Sequence, residues 1–123
     1  GSRVAEARVR GFQGDDLADT HTVMACAKHF AAYGAAIAGK DYNTVDISDL
    51  TLHDTYLPPF RAAANAGVAT FMNSFNDING IPATGNAYIQ RDILKEGWAY
   101  CFRLGIGQRN GCPWICIRSE GIG

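Results

Sequence analysis

The chain has 123 residues, enough for one ordinary domain. It is 47% hydrophobic and 19% charged, which excludes a disordered chain, and its formal net charge of -1 favours neither nucleic acid nor an anionic membrane surface as a partner. No apolar run approaches the roughly 18 residues that span a bilayer, so no membrane partner is expected, and no secretory leader or initiator Met opens the sequence.

In chain order, Ser2 to Phe12 predicts a helix, with Val4, Ala5, Ala7, Arg8 and Val9 along an apolar stripe and Arg3, Glu6 and Arg10 outside it. Gly11 and Gly14-Asp15-Asp16 end that helix in a loop. The apolar run Val23-Met24-Ala25-Cys26-Ala27 predicts a buried strand over Val23–Lys28 that ends in Lys28 and His29. A cation and an imidazole at the end of such a strand are what it would deliver to a pocket. A long loop through Gly34, Gly39 and Asn43 follows, and Ser48 is placed to cap a helix carrying Leu50, Tyr56, Leu57, Phe60 and Ala64. Pro58-Pro59 predicts a kink or two short helices, because proline lacks the amide donor and clashes with the preceding turn.

Asn65-Ala66-Gly67 reads as the stop, with Gly67 in the left-handed conformation. A second strand is expected over Val68–Asn73, handing Asn73-Ser74-Phe75-Asn76-Asp77 to a loop. Within that loop Asn79-Gly80 is a strong turn signal. A last helix is expected from about Asn86 to Glu96, with Tyr88, Ile89, Ile93 and Leu94 inward and Gly97 as its stop. The order helix, strand, helix, strand, helix implies parallel strands with right-handed crossovers. Two strands do not close a sheet, so the pattern reads as a slice of a larger α/β domain, with sheet edges open to self-association.

Cys26 lies inside the first apolar run and is expected to be a small buried thiol. Cys101, Cys112 and Cys116 have a spacing that matches no common zinc pattern, and the histidines lie far upstream, so neither a metal site nor a disulfide framework is expected. Cys101 to Gly123 shows no period of either kind, and Gly105-Ile106-Gly107 lacks the third glycine of a phosphate loop. His21 and His53 are expected at solvated surface positions, and Asn76 and Asn79 are expected to hold their loop.

Five blocks carry a resemblance to a known family. Cys26-Ala27-Lys28-His29-Phe30-Ala31-Ala32-Tyr33-Gly34 resembles the Lys-His-Phe signature of glycoside hydrolase family three, the β-glucosidase family. Lys40-Asp41-Tyr42-Asn43-Thr44 is similar to its following loop, and Leu52-His53-Asp54-Thr55-Tyr56-Leu57-Pro58-Pro59-Phe60 to its Leu-x-x-x-Tyr-Leu-x-Pro-Phe helix. Phe75 through Thr84 resembles the second motif, and Asp92-Ile93-Leu94-Lys95-Glu96 the helix after it, so the match spans about residues 3 to 100. The resemblance implies an α/β fold of the (β/α)8 TIM-barrel type. About two strand–helix units and a preceding helix would lie in residues 1–100, with an irregular tail over 101–123.

By the same resemblance Lys28 and His29 would hydrogen-bond sugar hydroxyls in the -1 subsite, and Phe75 would be a hydrophobic wall. Some family members carry Tyr at the last position, and Phe cannot donate that bond. Asp41 is a loop carboxylate expected either to accept from sugar hydroxyls or simply to pair with Lys40 or Arg61. Ala31, Ala32 and Tyr33 stand where the N-acetylglucosaminidase branch has its loop motif with a histidine, which sets that branch aside. The implied reaction is retaining, exo-acting hydrolysis of terminal β-linked sugars, with β-glucosidase the first reading and β-xylosidase the second. A β-linked glucoside or oligosaccharide would be the substrate, with no cofactor, and a periplasmic or secreted parent is in keeping with it.

The family's nucleophile is the Asp of a Ser-Asp-Trp-like motif expected about seven residues after Tyr100. Cys101 to Gly123 contains no Asp, and the acid/base Glu normally comes from far downstream. These 123 residues are therefore expected to be an inactive fragment, or else a non-enzymatic carbohydrate-binding or inert barrel module. A coding stretch for Ser-Asp-Trp-Gly-Ser-Val-Thr-Glu, read one base early, gives Leu-Gly-Leu-Gly-Gln-Arg-Asn-Gly. Leu104 to Gly111 differs from that at one position, so a frameshift near Tyr100 is expected.

Overall fold

The computed structural model describes residues 1–100. The expectations for the three later cysteines, for Gly105-Ile106-Gly107 and for the frameshifted tail lie outside the described residues. Helix α1 (Ser2–Gln13) is followed by strand β1 (Cys26–Phe30) and two single 3-10 turns, Tyr33–Ala35 and Ile37–Gly39. Helix α2 (Asp49–Thr51) runs through a π-helical turn, Leu52–Tyr56, into helix α3 (Leu57–Asn65). Strand β2 (Thr70–Asn73) and a hairpin of β3 (Asp77–Ile78) and β4 (Ile81–Pro82) come next. A π-helical segment, Tyr88–Gly97, completes the order.

The expected alternation holds, and β1 and β2 pair in parallel, with Cys26 opposite Thr70 and Ala27 opposite Phe71. Both strands start two or three residues later than the apolar runs imply. Val23 and Met24 are exposed, and the backbone before Cys26 bonds back to α1 through Val23 N–H to the Phe12 carbonyl, 2.9 Å. Lys28 and His29 are therefore within the last three residues of β1 and not beyond its end. The Lys28–His29 and Phe30–Ala31 peptide bonds are cis. Cys26 is exposed, which corrects its expected burial: alternation turns it, with Lys28, to the sheet face that no helix covers.

Ser48 caps α2 as expected, its Oγ accepting from the Thr51 N–H at 3.1 Å. Leu50 is 71% exposed and Leu52 is buried, so the inward stripe starts two residues later than expected. Pro58 and Pro59 sit in the first turn of α3, where their missing N–H groups cost nothing. The π-helical turn before them takes up the misfit in place of a break. Gly67 has φ +81°, the left-handed value expected of it. Ile89, Ile93 and Leu94 face inward as expected, whereas Tyr88 is 41% exposed. Asn86 caps the final helical segment through Oδ1, which accepts from the Ile89 N–H.

The core has two parts. Phe30, fully buried, is met edge-on by Phe60, Phe71 and Trp98 at centroid distances of 5.2, 5.5 and 5.9 Å. Val45, Leu52, Leu57, Ile78 and Ile89 extend this cluster. Val9, Ala25, Ala63 and Val68 form the second, where α1 crosses α3.

One buried polar side chain joins these layers. Gln13 closes α1 with its amide inside the protein; Oε1 accepts from the N–H of Ala25 at 3.2 Å and of Ala69 at 2.8 Å, and Nε2 donates to the Gly67 carbonyl at 2.9 Å. Replacing Gln13 with Leu leaves two buried backbone N–H groups, of Ala25 and Ala69, unpaired, each worth roughly 1–3 kcal/mol, and frees the exposed Gly67 carbonyl to water, so Gln13→Leu is expected to cost about 3 kcal/mol. A urea unfolding midpoint that drops with unchanged slope measures it.

Tyr100 closes the same end of β2, donating to the carbonyls of Val68 (3.2 Å) and Ala69 (2.9 Å) and stacking edge-on against Phe71 at 4.6 Å. Burial first, then a neighbouring Cys26 thiolate, push its phenol from 10.0 to about 12. A raised value means that folding favours the protonated phenol. Its contribution is complete below pH 10 and is lost as the pH rises from 10 to about 12. Unfolding measured across that window is expected to weaken less steeply in Tyr100→Phe than in the parent chain, with Tyr33, also raised, leaving a residual slope.

Candidate functional site

The C-terminal ends of β1 and β2 lie together, joined by the Ser74 N–H donating to the Phe30 carbonyl at 2.7 Å. Lys28 and His29 arrive on β1 and Phe75 follows β2 by two residues. Lys28 is exposed, and its ammonium makes no hydrogen bond or ion pair among the described residues. His29 is half-buried; its ring lies 5.2 Å from Phe75, tilted at 41°, and 5.4 Å from Tyr33, edge-on at 69°. Phe75, 53% exposed, also meets Tyr33 at 5.9 Å and Tyr42 at 5.5 Å.

Asp41 enters this group indirectly. The Tyr33 hydroxyl donates to its Oδ1 at 3.0 Å, so the carboxylate is tied to the aromatic cluster and not to Lys40 or Arg61. Partial burial first, and then the Asp41 carboxylate, hold the Tyr33 phenol above the ordinary tyrosine range. Three of the four residues singled out in the sequence are thus brought together, Phe75 against His29 and Asp41 through Tyr33; Lys28 instead lines a groove beside β1 with Ala5, Phe12 and Phe60. Tyr33 and Tyr42 are the members sequence reasoning passed over. The signal was there in two aromatics beside glycine-containing turns, but only the fold brings them to Phe75.

The loop is held from behind by the β3–β4 hairpin. Asn79 and Gly80 both have positive φ, 51° and 86°, as a two-residue primed turn requires. Asn79 Oδ1 accepts from the Ile47 N–H at 3.1 Å and its Nδ2 donates to the Ile47 carbonyl at 2.9 Å. Asp77 accepts from the Thr44 hydroxyl at 2.8 Å, and Val45 N–H donates to the Asp77 carbonyl at 3.0 Å. Buried Asn76 bonds the Ser74 hydroxyl and the Asp77 carbonyl. Both asparagines hold the loop, as expected. His21 is exposed beside Asp19, and exposed His53 is bonded to the Tyr88 hydroxyl at 2.8 Å. No group of three or more metal-ligating side chains occurs among the described residues, and none of their helices is long and apolar enough to cross a membrane.

His29 and its apolar neighbours stand at the C-terminal ends of parallel strands, the end at which α/β barrels carry their sites. Residues 1–103 match the family described as Glycosyl hydrolase family 3 N terminal domain, a TIM-barrel-like α/β fold, and the chain belongs to that family of glycoside hydrolases. It is 42% identical over 99 residues to the periplasmic beta-glucosidase of Salmonella typhimurium, covering 80% of this chain and 13% of that protein. To a beta-xylosidase of Formosa agariphila it is 38% identical over 98 residues, covering 77% and 14%. The crystal structure of a beta-glucosidase from Listeria innocua superposes with a TM-score of 0.77 at 45% identity, over 80% of this chain and 14% of that one. That protein has also been solved in complex with glucose. The chain therefore spans about one seventh of the length of the relatives it matches.

Asn79→Ala removes both bonds to Ile47 and puts an unfavoured residue at φ 51°. At roughly 1 kcal/mol for each bond, and about as much again for the left-handed backbone, a loss of about 2–3 kcal/mol is expected. Amide exchange should show it at Val45 and Ile47 first.

Proposed function

We propose that these residues form part of the catalytic barrel of a retaining, exo-acting β-glycosidase and carry part of its -1 sugar subsite. The sugar is glucose in the first reading and xylose in the second. The observation that supports this best is Lys28-His29 at the end of β1 with the imidazole against Phe75. A lysine donates to hydroxyls as a cation, an imidazole can donate from one nitrogen and accept at the other, and together they fix a sugar's orientation. Phe75 offers an apolar wall to the ring's C–H face, and Asp41 is a further acceptor for hydroxyls.

Two carboxylates about 5 Å apart are needed for the retaining reaction. Residues 101–123 contain no Asp for the nucleophile, and no described residue is proposed for the acid/base. The chain alone is therefore expected to bind and not to hydrolyse. No metal or organic cofactor is needed for this chemistry. The uncovered sheet face supports the reading as about two strand–helix units of a larger barrel, since parallel sheets are normally covered on both faces. Cys26, Lys28 and Met72 are exposed there, and a groove lined by Ala5, Val9, Phe12, Lys28 and Phe60 runs beside β1. The same open edge makes self-association expected. The Salmonella relative's periplasmic location supports a periplasmic or secreted parent. The second reading, a non-enzymatic carbohydrate-binding or inert module, draws on the lack of Asp in residues 101–123.

Glucose is expected to bind the 123-residue chain with a Kd on the order of 10 mM, read by NMR shifts of Lys28 and His29, and not to bind Lys28→Ala or His29→Ala. Shifts absent at every concentration of glucose and xylose would remove the subsite. Hydrolysis of an aryl β-glucoside by the chain, abolished in Lys28→Ala, would overturn its proposed inactivity. The nucleotide sequence tests the tail: a one-base shift near Tyr100 that exposes no Ser-Asp-Trp codons ends the frameshift proposal.

A further inference from the structure

We propose that Tyr33 is the positioning residue for His29 and that Asp41 acts on the site through Tyr33, by anchoring its hydroxyl; the sugar-binding consequence rests on the subsite reading above. Among the described residues no side chain or backbone group hydrogen-bonds the His29 ring. Its orientation is set by two aromatic neighbours, Tyr33 edge-on at 5.4 Å and Phe75 tilted at 5.2 Å. These two rings meet each other at 5.9 Å and 73°, forming a corner into which the imidazole fits.

The halves of that corner are secured differently. Phe75 follows the end of β2 and is backed by Tyr42 at 5.5 Å. Tyr33 stands on a short turn after Ala32, itself at φ 61°, closed by the Ala35 N–H to Ala32 carbonyl bond of 2.9 Å. A single turn leaves the ring free to swing, and the tether that stops it is the 3.0 Å bond from the hydroxyl to Asp41 Oδ1. A hydrogen bond to an ionised carboxylate is roughly twice as strong as a neutral one, which suits a half-exposed position. Orientation by ring contacts leaves both imidazole nitrogens available, one as donor and one as acceptor, which a hydrogen-bonded histidine could not offer.

A packing role alone would not need Asp41, and that difference is measurable. In proton–carbon NMR spectra of the 123-residue chain, with His29 assigned through His29→Gln, the His29 ring signals should be displaced from those of exposed His21 by the Tyr33 and Phe75 ring currents. Tyr33→Leu and Asp41→Ala are each expected to reduce that displacement by about half or more, and Asp41→Asn, whose amide oxygen still accepts, to retain most of it. Displacement that is absent in the parent chain, or unchanged in Asp41→Ala, overturns the proposal. If Tyr33→Leu fails to fold, the Asp41→Ala and Asp41→Asn pair decides alone, since neither touches the aromatic packing. A glucose titration on the same signals separates the two readings. Glucose leaving His29 unmoved while Asp41→Ala moves it keeps the positioning role and removes the sugar.

Discussion

The fold depends on keeping two short parallel strands in register. A pair of five and four residues has few ladder bonds of its own, and parallel pairing is the less stable kind. The pair is fixed at its ends instead. Gln13 holds the backbone just before each strand, and the Ser74 N–H to Phe30 carbonyl bond holds the far end. Between them Phe30 and Phe71 bury the helix-facing side. The register is irregular between Ala27 and Phe30, which is why Phe30 is buried although Lys28, two residues earlier, is exposed. The bonds made by Gln13 fix the other end of the pair, where the register is regular.

That end is built as two layers of support. The β3–β4 hairpin ties to residues 44–47 through Asp77 and Asn79, and Thr44 in turn accepts from the Ile37 N–H. Asp41 and Tyr42 lie on the segment so enclosed, which is why they come within reach of Tyr33 and Phe75. A turn dipeptide at 79–80 thereby affects an imidazole fifty residues earlier by way of loop placement, without touching it.

Much of this was legible in the residues, and the exceptions have physical causes. The serine cap at 48, the glycine stop at 67, the Asn-Gly turn and the parallel pairing all rest on local chemistry that a neighbour rarely overrides. Strand starts were misjudged because Val23 and Met24 look like strand residues, yet the chain there is still bonded to α1. The thiol of Cys26 was misjudged because an apolar run does not say which of its faces is covered. Gln13 was invisible, since one polar residue at the end of an amphipathic helix reads as a solvent-facing end. Lys28, His29, Asp41 and Phe75 could be chosen from their sequence motifs. Their connection through Tyr33 could not, because a ring contact between residues 29, 33 and 75 exists only after β1 and β2 pair.

The proposed subsite also separates recognition from chemistry. Lysine and imidazole contacts to hydroxyls act on the bound sugar much as they do on its transition state, so by themselves they confer binding and little acceleration. The acceleration in a retaining glycosidase comes from the nucleophile and the acid/base, whose separation must be held near 5 Å. The orienting group described here is ordered by its own aromatic packing and by one carboxylate–phenol bond, none of which involves a catalytic carboxylate. Such a half-site can keep its geometry without the other half. What it then offers a sugar is a few hydrogen bonds, each worth about 0.5–1.5 kcal/mol, against the entropy of association. Weak binding without turnover is the outcome those magnitudes require.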